Sequence, residues 1–245
     1  MTRRRKQQRR DKQKRNKDRN NNRSINKTPR RGVDPGYKPN TLKARTENQQ
    51  EYIYSVREND ITFCTGPAGT GKTHIAVGMA VQMIREGFLE RIIITRPLVG
   101  VGKDMGWLPG DMMDKVGPYL TPCFDELNYY LSLSMIGQWL HDKKIEVVPL
   151  SMMRGRTFKN AFIMIDECQN ATHEELKSLL TRLGEPSRLV LSGDINQSDL
   201  QEHQRGAFSE AIRRITHIEG INQVTLTEAD IVRHRLIGEI VHNLW

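Results

Sequence analysis

The sequence has few cysteines, no long apolar run, and almost nothing apolar in its first segment. Its three cysteines, Cys64, Cys123 and Cys168, are an odd number at wide spacing. They form neither a disulfide framework nor a zinc set, and they fit a reducing cytoplasm. No apolar run approaches the ~18 residues of a membrane-spanning helix, so no membrane partner is expected. Residues 2–32 contain one aliphatic residue, Ile25, so no secretory leader is expected there. The seven histidines show no ligand spacing with cysteines or acids. No Gly-x-Ser-x-Gly elbow and no Cys/His nucleophile pair is visible. These absences argue against zinc chemistry and acyl-enzyme chemistry.

Charge is plentiful but uneven. Residues 1–31 carry 15 Lys or Arg and two Asp, a net of +13, while the remaining 214 residues carry a net of −4. The first segment alternates Arg and Lys with Gln and Asn, and it cannot bury enough apolar surface to offset the entropy of ordering. It reads as a basic tail, disordered in isolation, that attracts polyphosphates without reading their sequence. A solvated tail with no specific partner is the alternative. Pro29, Gly32, Pro35, Gly36 and Pro39 break the chain after it. The predicted division is therefore a tail and linker over 1–41 and a folded domain over 42–245.

The domain alternates short apolar runs with helical spacing. Predicted strands are Ile61–Thr65, Arg91–Thr95, Ile145–Pro149, Ala161–Ile165, Arg188–Ser192 and Asn222–Leu226. Predicted helices are Thr73–Arg85, Gly110–Gly137 (in two pieces, broken near Pro118 and Pro122), His173–Leu183, Arg205–Ile215 and Ala229–Asn243. Runs such as Ile92-Ile93-Ile94, without polar alternation, suit strands covered on both faces. The expected fold is α/β, three-layered, with a mostly parallel central sheet.

Two motifs carry chemistry. Gly66-Pro67-Ala68-Gly69-Thr70-Gly71-Lys72-Thr73 satisfies G-x-x-x-x-G-K-[ST], with a strand before it and a helix after it. Glycines let the backbone wrap a phosphate, and the helix presents its positive end to the anion. Lys72 would contact the β- and γ-phosphates, and the Thr73 hydroxyl would ligate magnesium. His74 follows directly and belongs to the same nucleotide-binding stretch, as a packing or solvent residue rather than a base. The second motif is Phe162-Ile163-Met164-Ile165-Asp166-Glu167, an apolar strand that ends in two carboxylates. Asp166 would hold Mg2+ through water, and Glu167 would orient or deprotonate the attacking water. The order, loop then acidic strand, matches a P-loop NTPase. Gly193-Asp194-Ile195-Asn196-Gln197 also sits beyond an apolar strand, where Gln197 is either a γ-phosphate sensor or part of a polar loop.

Together with Thr95-Arg96-Pro97, Leu108-Pro109-Gly110-Asp111, Met153-Arg154-Gly155-Arg156-Thr157, Ile165-Asp166-Glu167-Cys168-Gln169-Asn170 and Ile231-Val232-Arg233-His234, these motifs closely resemble the PhoH family. These are phosphate-starvation-inducible P-loop ATPases of bacteria and many tailed phages. The resemblance runs from about Thr46 to the C-terminus and leaves out the basic tail. It implies a RecA-like P-loop fold, ATP and Mg2+ as cofactors, and ATP hydrolysis, which joins the cytoplasmic placement expected from the cysteines. The family is similar to superfamily-one helicases, which implies action on RNA or single-stranded nucleic acid. By that resemblance Gln49 matches an adenine-contacting glutamine, with Gln50 as an adjacent rival.

A superfamily-one helicase has two lobes, with arginines of the second reaching the γ-phosphate bound to the first. One such lobe is read here. An inserted arginine is worth roughly 10³–10⁵ in rate. The expectation is a homo-oligomer, a ring such as a hexamer, with an arginine from a neighbour. Candidates are Arg154, Arg156 and Arg233, while Arg96 either faces nucleic acid or holds the loop after its strand. Trp107, Tyr129 and Tyr130 either stack bases or pack inside. The alternative function is an ATP-driven switch or remodeller of a protein client, with the tail a non-specific polyanion binder.

Overall fold

The computed structural model describes residues 38–97, 112–153 and 155–232, with residues 112–120, 151 and 152 described by their backbone alone. Met1–Tyr37 and Lys38–Trp245 separate into two units, and all the described residues belong to the second.

Twelve regular elements follow one another among the described residues: α1 (Glu47–Glu58), β1 (Ile61–Thr65), α2 (Lys72–Arg85), β2 (Arg91–Thr95), α3 (Met112–Tyr130), α4 (Leu133–His141), β3 (Ile145–Val147), β4 (Ala161–Ile165), α5 (His173–Leu180), β5 (Ser187–Gly193), α6 (Ala207–Ile215) and β6 (Ile221–Thr225). The strands form one sheet in the order β3-β2-β4-β5-β1-β6, every neighbouring pair parallel.

The period of two along each strand divides the core. Cys64, Ile92, Ile94, Phe162, Met164, Val190 and Val224 face one layer, packed with α1, α2, α3 and α4 residues such as Tyr52, Met79 and Leu127. Phe63, Ile93, Ile163, Ile165, Leu189 and Leu191 face the other, packed with Leu176 and Leu179 of α5 and Phe208 and Ile212 of α6. Central strands buried on both faces need no polar alternation, as β1 and β4 show by being buried throughout. The fold is thus the three-layer α/β sheet expected.

Boundaries differ in a few places. The break expected near Pro118 and Pro122 is absent: α3 runs unbroken from Met112 to Tyr130. Cys123, Leu127 and Tyr130, spaced one turn apart, are buried and hold it against the sheet. It ends where Ser132 turns extended, its hydroxyl accepting from the Met135 amide to start α4. The expected strand Ile145–Pro149 stops at Val147. The helix expected over Ala229–Asn243 begins as a 3-10 turn, Glu228–Asp230, and residues 233–243 lie outside the described residues. Helix α1 has no counterpart among the helices read from spacing.

Candidate functional site: a phosphate loop and two carboxylates at one sheet edge

In a parallel sheet all strands end on one side, and there the functional residues collect. β1, β4 and β5 are adjacent, and the pairs Thr65↔Gly193 and Ile165↔Leu191 bring the three ends together. The loop Gly66–Gly71 leaves β1 and enters α2 at Lys72. Gly66 is required by a close approach: a Cβ there would lie 2.6 Å from the Leu226 carbonyl oxygen. Gly71, the residue before the helix, has φ +89° and ψ 17°, a left-handed conformation that glycine adopts without cost. Thr70 Oγ1 donates to the Pro67 carbonyl at 2.9 Å and closes the loop on itself. Lys72 Nζ donates to the carbonyls of Gly66 (2.6 Å) and Pro67 (2.9 Å), so its ammonium lies across the loop.

Beside it, Thr73 Oγ1 donates to Asp166 at 3.2 Å and Ser192 Oγ donates to Asp166 Oδ1 at 3.0 Å. A residue of α2 and a residue of β5 thus converge on the carboxylate at the end of β4. Asp166 is 4% exposed. Burial raises its pKa, neighbouring Glu167 adds to the rise, and Arg96, Ser192 and Thr73 oppose it.

Glu167 differs in every respect. Its backbone is left-handed, φ 57° and ψ 43°, a conformation costing a non-glycine residue about 1–3 kcal/mol. Its carboxylate is held on both oxygens: Arg96 Nη2 is 3.0 Å from Oε1, and Gln169 Nε2 donates to Oε2 at 2.6 Å. Gln169 Oε1 in turn accepts from the Asp194 amide at 3.0 Å. A buried side-chain amide therefore connects the Glu167 carboxylate to the loop after β5. Further bonds latch that loop to the Cys168–Asn170 turn, from Ser198 Oγ to the Gln169 carbonyl (3.1 Å) and between Asn170 and Asp199 (2.8 and 2.9 Å).

The far wall comes from outside the sheet. Gln49 is buried; its Nε2 donates to the Thr70 carbonyl (2.9 Å) and its Oε1 accepts from the Arg45 amide (2.9 Å). The rival Gln50 is exposed. Thr46 caps α1 through the Gln49 amide and also donates to Asp230, which accepts from Asn48 at 2.9 Å as well. The Val232 amide donates to the Gly69 carbonyl at 3.2 Å. His74 stands with Nδ1 2.7 Å from Glu126 and Nε2 2.7 Å from the Tyr130 hydroxyl, so it ties α2 to α3. Tyr130 is buried and Tyr129 is 43% exposed; Trp107 lies outside the described residues. These parts enclose a cavity of about 460 Å³ lined by Gln49, Lys72, Thr73, Arg96, Asp166 and Glu167, among others. That is the size of an ordinary small-ligand site.

Most of the site residues expected from sequence therefore meet in one cavity. Two do not. Gln197 is exposed, because the turn that bonds its amide to the Asp194 carbonyl carries residues 195–197 to the surface. The amide buried at that junction is Gln169, which the sequence offered only as part of an acidic motif. Arg156 lies at the β3 edge, bonded to Glu146 at 2.6 and 2.9 Å and stacked 4.9 Å from the Phe158 ring centroid. Arg154 and Arg233 lie outside the described residues. Ser192 and the grip of Arg96 on Glu167 had no signal in residue spacing. Both follow from strand order, which no local pattern encodes.

A parallel sheet with a G-x-x-x-x-G-K-T loop after β1 and an acidic pair after β4 defines the P-loop NTPase class. The fold agrees with that of the large terminase from a thermophilic bacteriophage, with a TM-score of 0.55, 11% identity, and coverage of 82% of this chain and 50% of that one. The model of the PhoH-like protein family matches residues 41–244, and the chain belongs to that family. It is 44% identical over 200 residues to a PhoH-like protein of Synechocystis sp., covering 82% of this chain and 61% of the relative. It is 37% identical over 203 residues to Protein PhoH of Escherichia coli K12, covering 82% and 57%. The chain thus spans about three fifths of the length of these curated relatives. Among the described residues no helix is long and apolar enough to cross a membrane.

Proposed function

We propose that this chain binds and hydrolyses ATP with magnesium, and that hydrolysis is coupled to RNA or single-stranded nucleic acid. The observation that carries the reading is the convergence of Thr73 and Ser192 on Asp166 beside the Lys72 loop. A hydroxyl and a carboxylate in contact are hard oxygen donors, a set that suits Mg2+ held by few protein ligands and by substrate phosphates. Thr73 and Asp166 would hold the ion, which when bound neutralises charge on the β- and γ-phosphates. The backbone amides of Gly66–Thr73 and the start of α2 bind the phosphates, and Lys72 leaves the Gly66 and Pro67 carbonyls for them. Glu167 orients the attacking water and takes up its proton. Gln49, fixed by Thr70 and Arg45, would contact adenine, as its match by resemblance implies.

The strand-directed part rests on family resemblance and on the basic segment, residues 1–31. Its electrostatic contribution falls with salt, as counterion release requires. A ring of subunits, with an arginine of a neighbour from among Arg154, Arg156 and Arg233, completes the reading. For Arg156 this requires leaving Glu146.

The test is ATP hydrolysis with and without single-stranded RNA, for wild type and Lys72→Ala, at two salt concentrations. The expected result is a Lys72-dependent rate, stimulated by RNA at low salt and not at high salt. A Lys72-dependent rate indifferent to RNA would turn the reading to a protein client. A rate surviving Lys72→Ala would sink the site assignment. Mixing Arg156→Ala with Lys72→Ala subunits restores activity only if the arginine acts across an interface.

A further inference from the structure

Arg96 lines the phosphate side of the cavity, and the sheet itself places it there. β2 and β4 are parallel neighbours with Thr95 opposite Ile165, so the residues after these, Arg96 and Asp166, leave the sheet side by side. The Asp166 amide donates to the Thr95 carbonyl at 3.2 Å and extends that register by one step. Pro97 biases the residue before it toward extended backbone, so Arg96 continues the strand direction toward the cavity. Its side chain is about a quarter exposed, at 24%, its Nη2 is bonded to Glu167 Oε1, and its charge also reaches Asp166. Glu167 is the proposed general base, so this arginine occupies the carboxylate that has to meet water.

We propose that Arg96 reads the terminal phosphate of the bound nucleotide in cis, exchanging Glu167 for the γ-phosphate and so releasing the base only when a triphosphate is present. The inference rests on the ATPase reading above and deepens it. A γ-phosphate carries more charge than one carboxylate and presents three acceptor oxygens to a fork of guanidinium donors. A diphosphate ends short of that position and leaves the Arg96–Glu167 pair intact. Gln169 keeps its bond to the other oxygen of Glu167, so the released carboxylate stays aimed rather than swinging into solvent. The exchange therefore separates two tasks: Arg96 senses the nucleotide, and Gln169 holds the base in place. No neighbouring subunit is needed for this step, which distinguishes it from the arginine supplied in trans.

The experiment is equilibrium binding of ADP and of a β,γ-imido analogue of ATP to the full chain with magnesium, for wild type, Arg96→Ala, Arg96→Lys, Glu167→Gln, the Arg96→Ala/Glu167→Gln double variant and Lys72→Ala. Thermal melts establish that each variant is folded. Loss of one charge-assisted bond weakens the triphosphate analogue roughly tenfold to a hundredfold in Arg96→Ala, with ADP affinity unchanged. Arg96→Lys, which keeps the charge and loses the fork, lies between. Glu167→Gln, by removing the competitor, tightens the analogue, and that gain vanishes in the double variant, a non-additivity that a merely structural arginine does not produce. Equal weakening of both nucleotides by Arg96→Ala, or an undiminished Glu167→Gln gain without Arg96, would overturn the proposal. If Lys72→Ala leaves both affinities intact, the ATPase reading fails instead. If Arg96→Ala unfolds the chain, Arg96→Lys and Glu167→Gln decide alone: unchanged analogue affinity in both overturns the proposal.

Discussion

The two ends of the cavity are built on different principles. The phosphate end is made by strand termini: β1, β4 and β5 stop together, and Thr73, Asp166, Glu167 and Ser192 stand where the sheet puts them. The far end is made by segments outside the sheet. There Thr46 and Asn48 are fastened to Asp230, Gln49 to the loop, and Val232 to Gly69. One end inherits its precision from a buried core. The other relies on a few hydrogen bonds between segments far apart in sequence. The phosphate end should thus be intolerant of change in rate, and the far end in affinity and in pH response.

The sharpest test of that contrast lies at the phosphate end. Glu167→Gln keeps the size of the side chain and removes the proposed base, so hydrolysis should fall roughly 10²–10⁴-fold with the fold intact, as single-turnover assays would read. Gly66→Ala should act on structure instead. Its Cβ meets backbone of Leu226, which cannot rotate away, and the cost is about 1–3 kcal/mol in denaturant unfolding. At the far end, Gln49→Ala should raise KM for ATP roughly tenfold, with kcat nearly unchanged, because uniform binding is lost and not transition-state binding. An equal loss in kcat would erase the distinction between the two ends.

Two aspartates sharpen it further through pH. The raised pKa of Asp166 means that its charged form costs stability above the unfolded carboxylate range. Asp166→Asn should therefore melt a few degrees higher than wild type at neutral pH while losing hydrolysis, the gap closing as pH falls and the wild-type carboxyl protonates. Asp230 is the reverse. Burial raises its carboxyl, but hydrogen bonds from Asn48, the Thr227 amide and Thr46 outweigh that and hold it below the usual range. Its contribution is present above the unfolded range and is lost as pH falls through the folded value. Asp230→Asn should therefore flatten the acid limb of the stability curve, the smallest effect of the set. A steeper acid limb in that variant would show that Asp230 does not fasten the far end.

The phosphate loop and the acidic strand were legible because each is a local pattern, with all the residues of its chemistry within eight positions. The strands were legible for the same reason: residues buried on both faces read as apolar runs. The continuity of α3 through Pro118 and Pro122 was not legible, since the burial of Cys123, Leu127 and Tyr130 that sustains it is tertiary. Gln169 and Gln197 each stand four residues beyond a strand, so position along the sequence does not separate them, and the bend at Asp194 that turns Gln197 outward is not visible there.

The sequence by itself determined the α/β class, the place of the phosphate loop, the identity of the two carboxylates and the separation of a basic segment from an acidic body. Those follow from residue chemistry and short-range spacing. Only the tertiary structure decided which side chains serve those carboxylates. Strand order β4-β5-β1 sets Ser192 on Asp166, and the β2–β4 register sets Arg96 on Glu167. A parallel sheet joins strands through crossovers, so residues that touch across its edge are separated by dozens of positions, and their meeting is decided by packing rather than by any pattern along the chain.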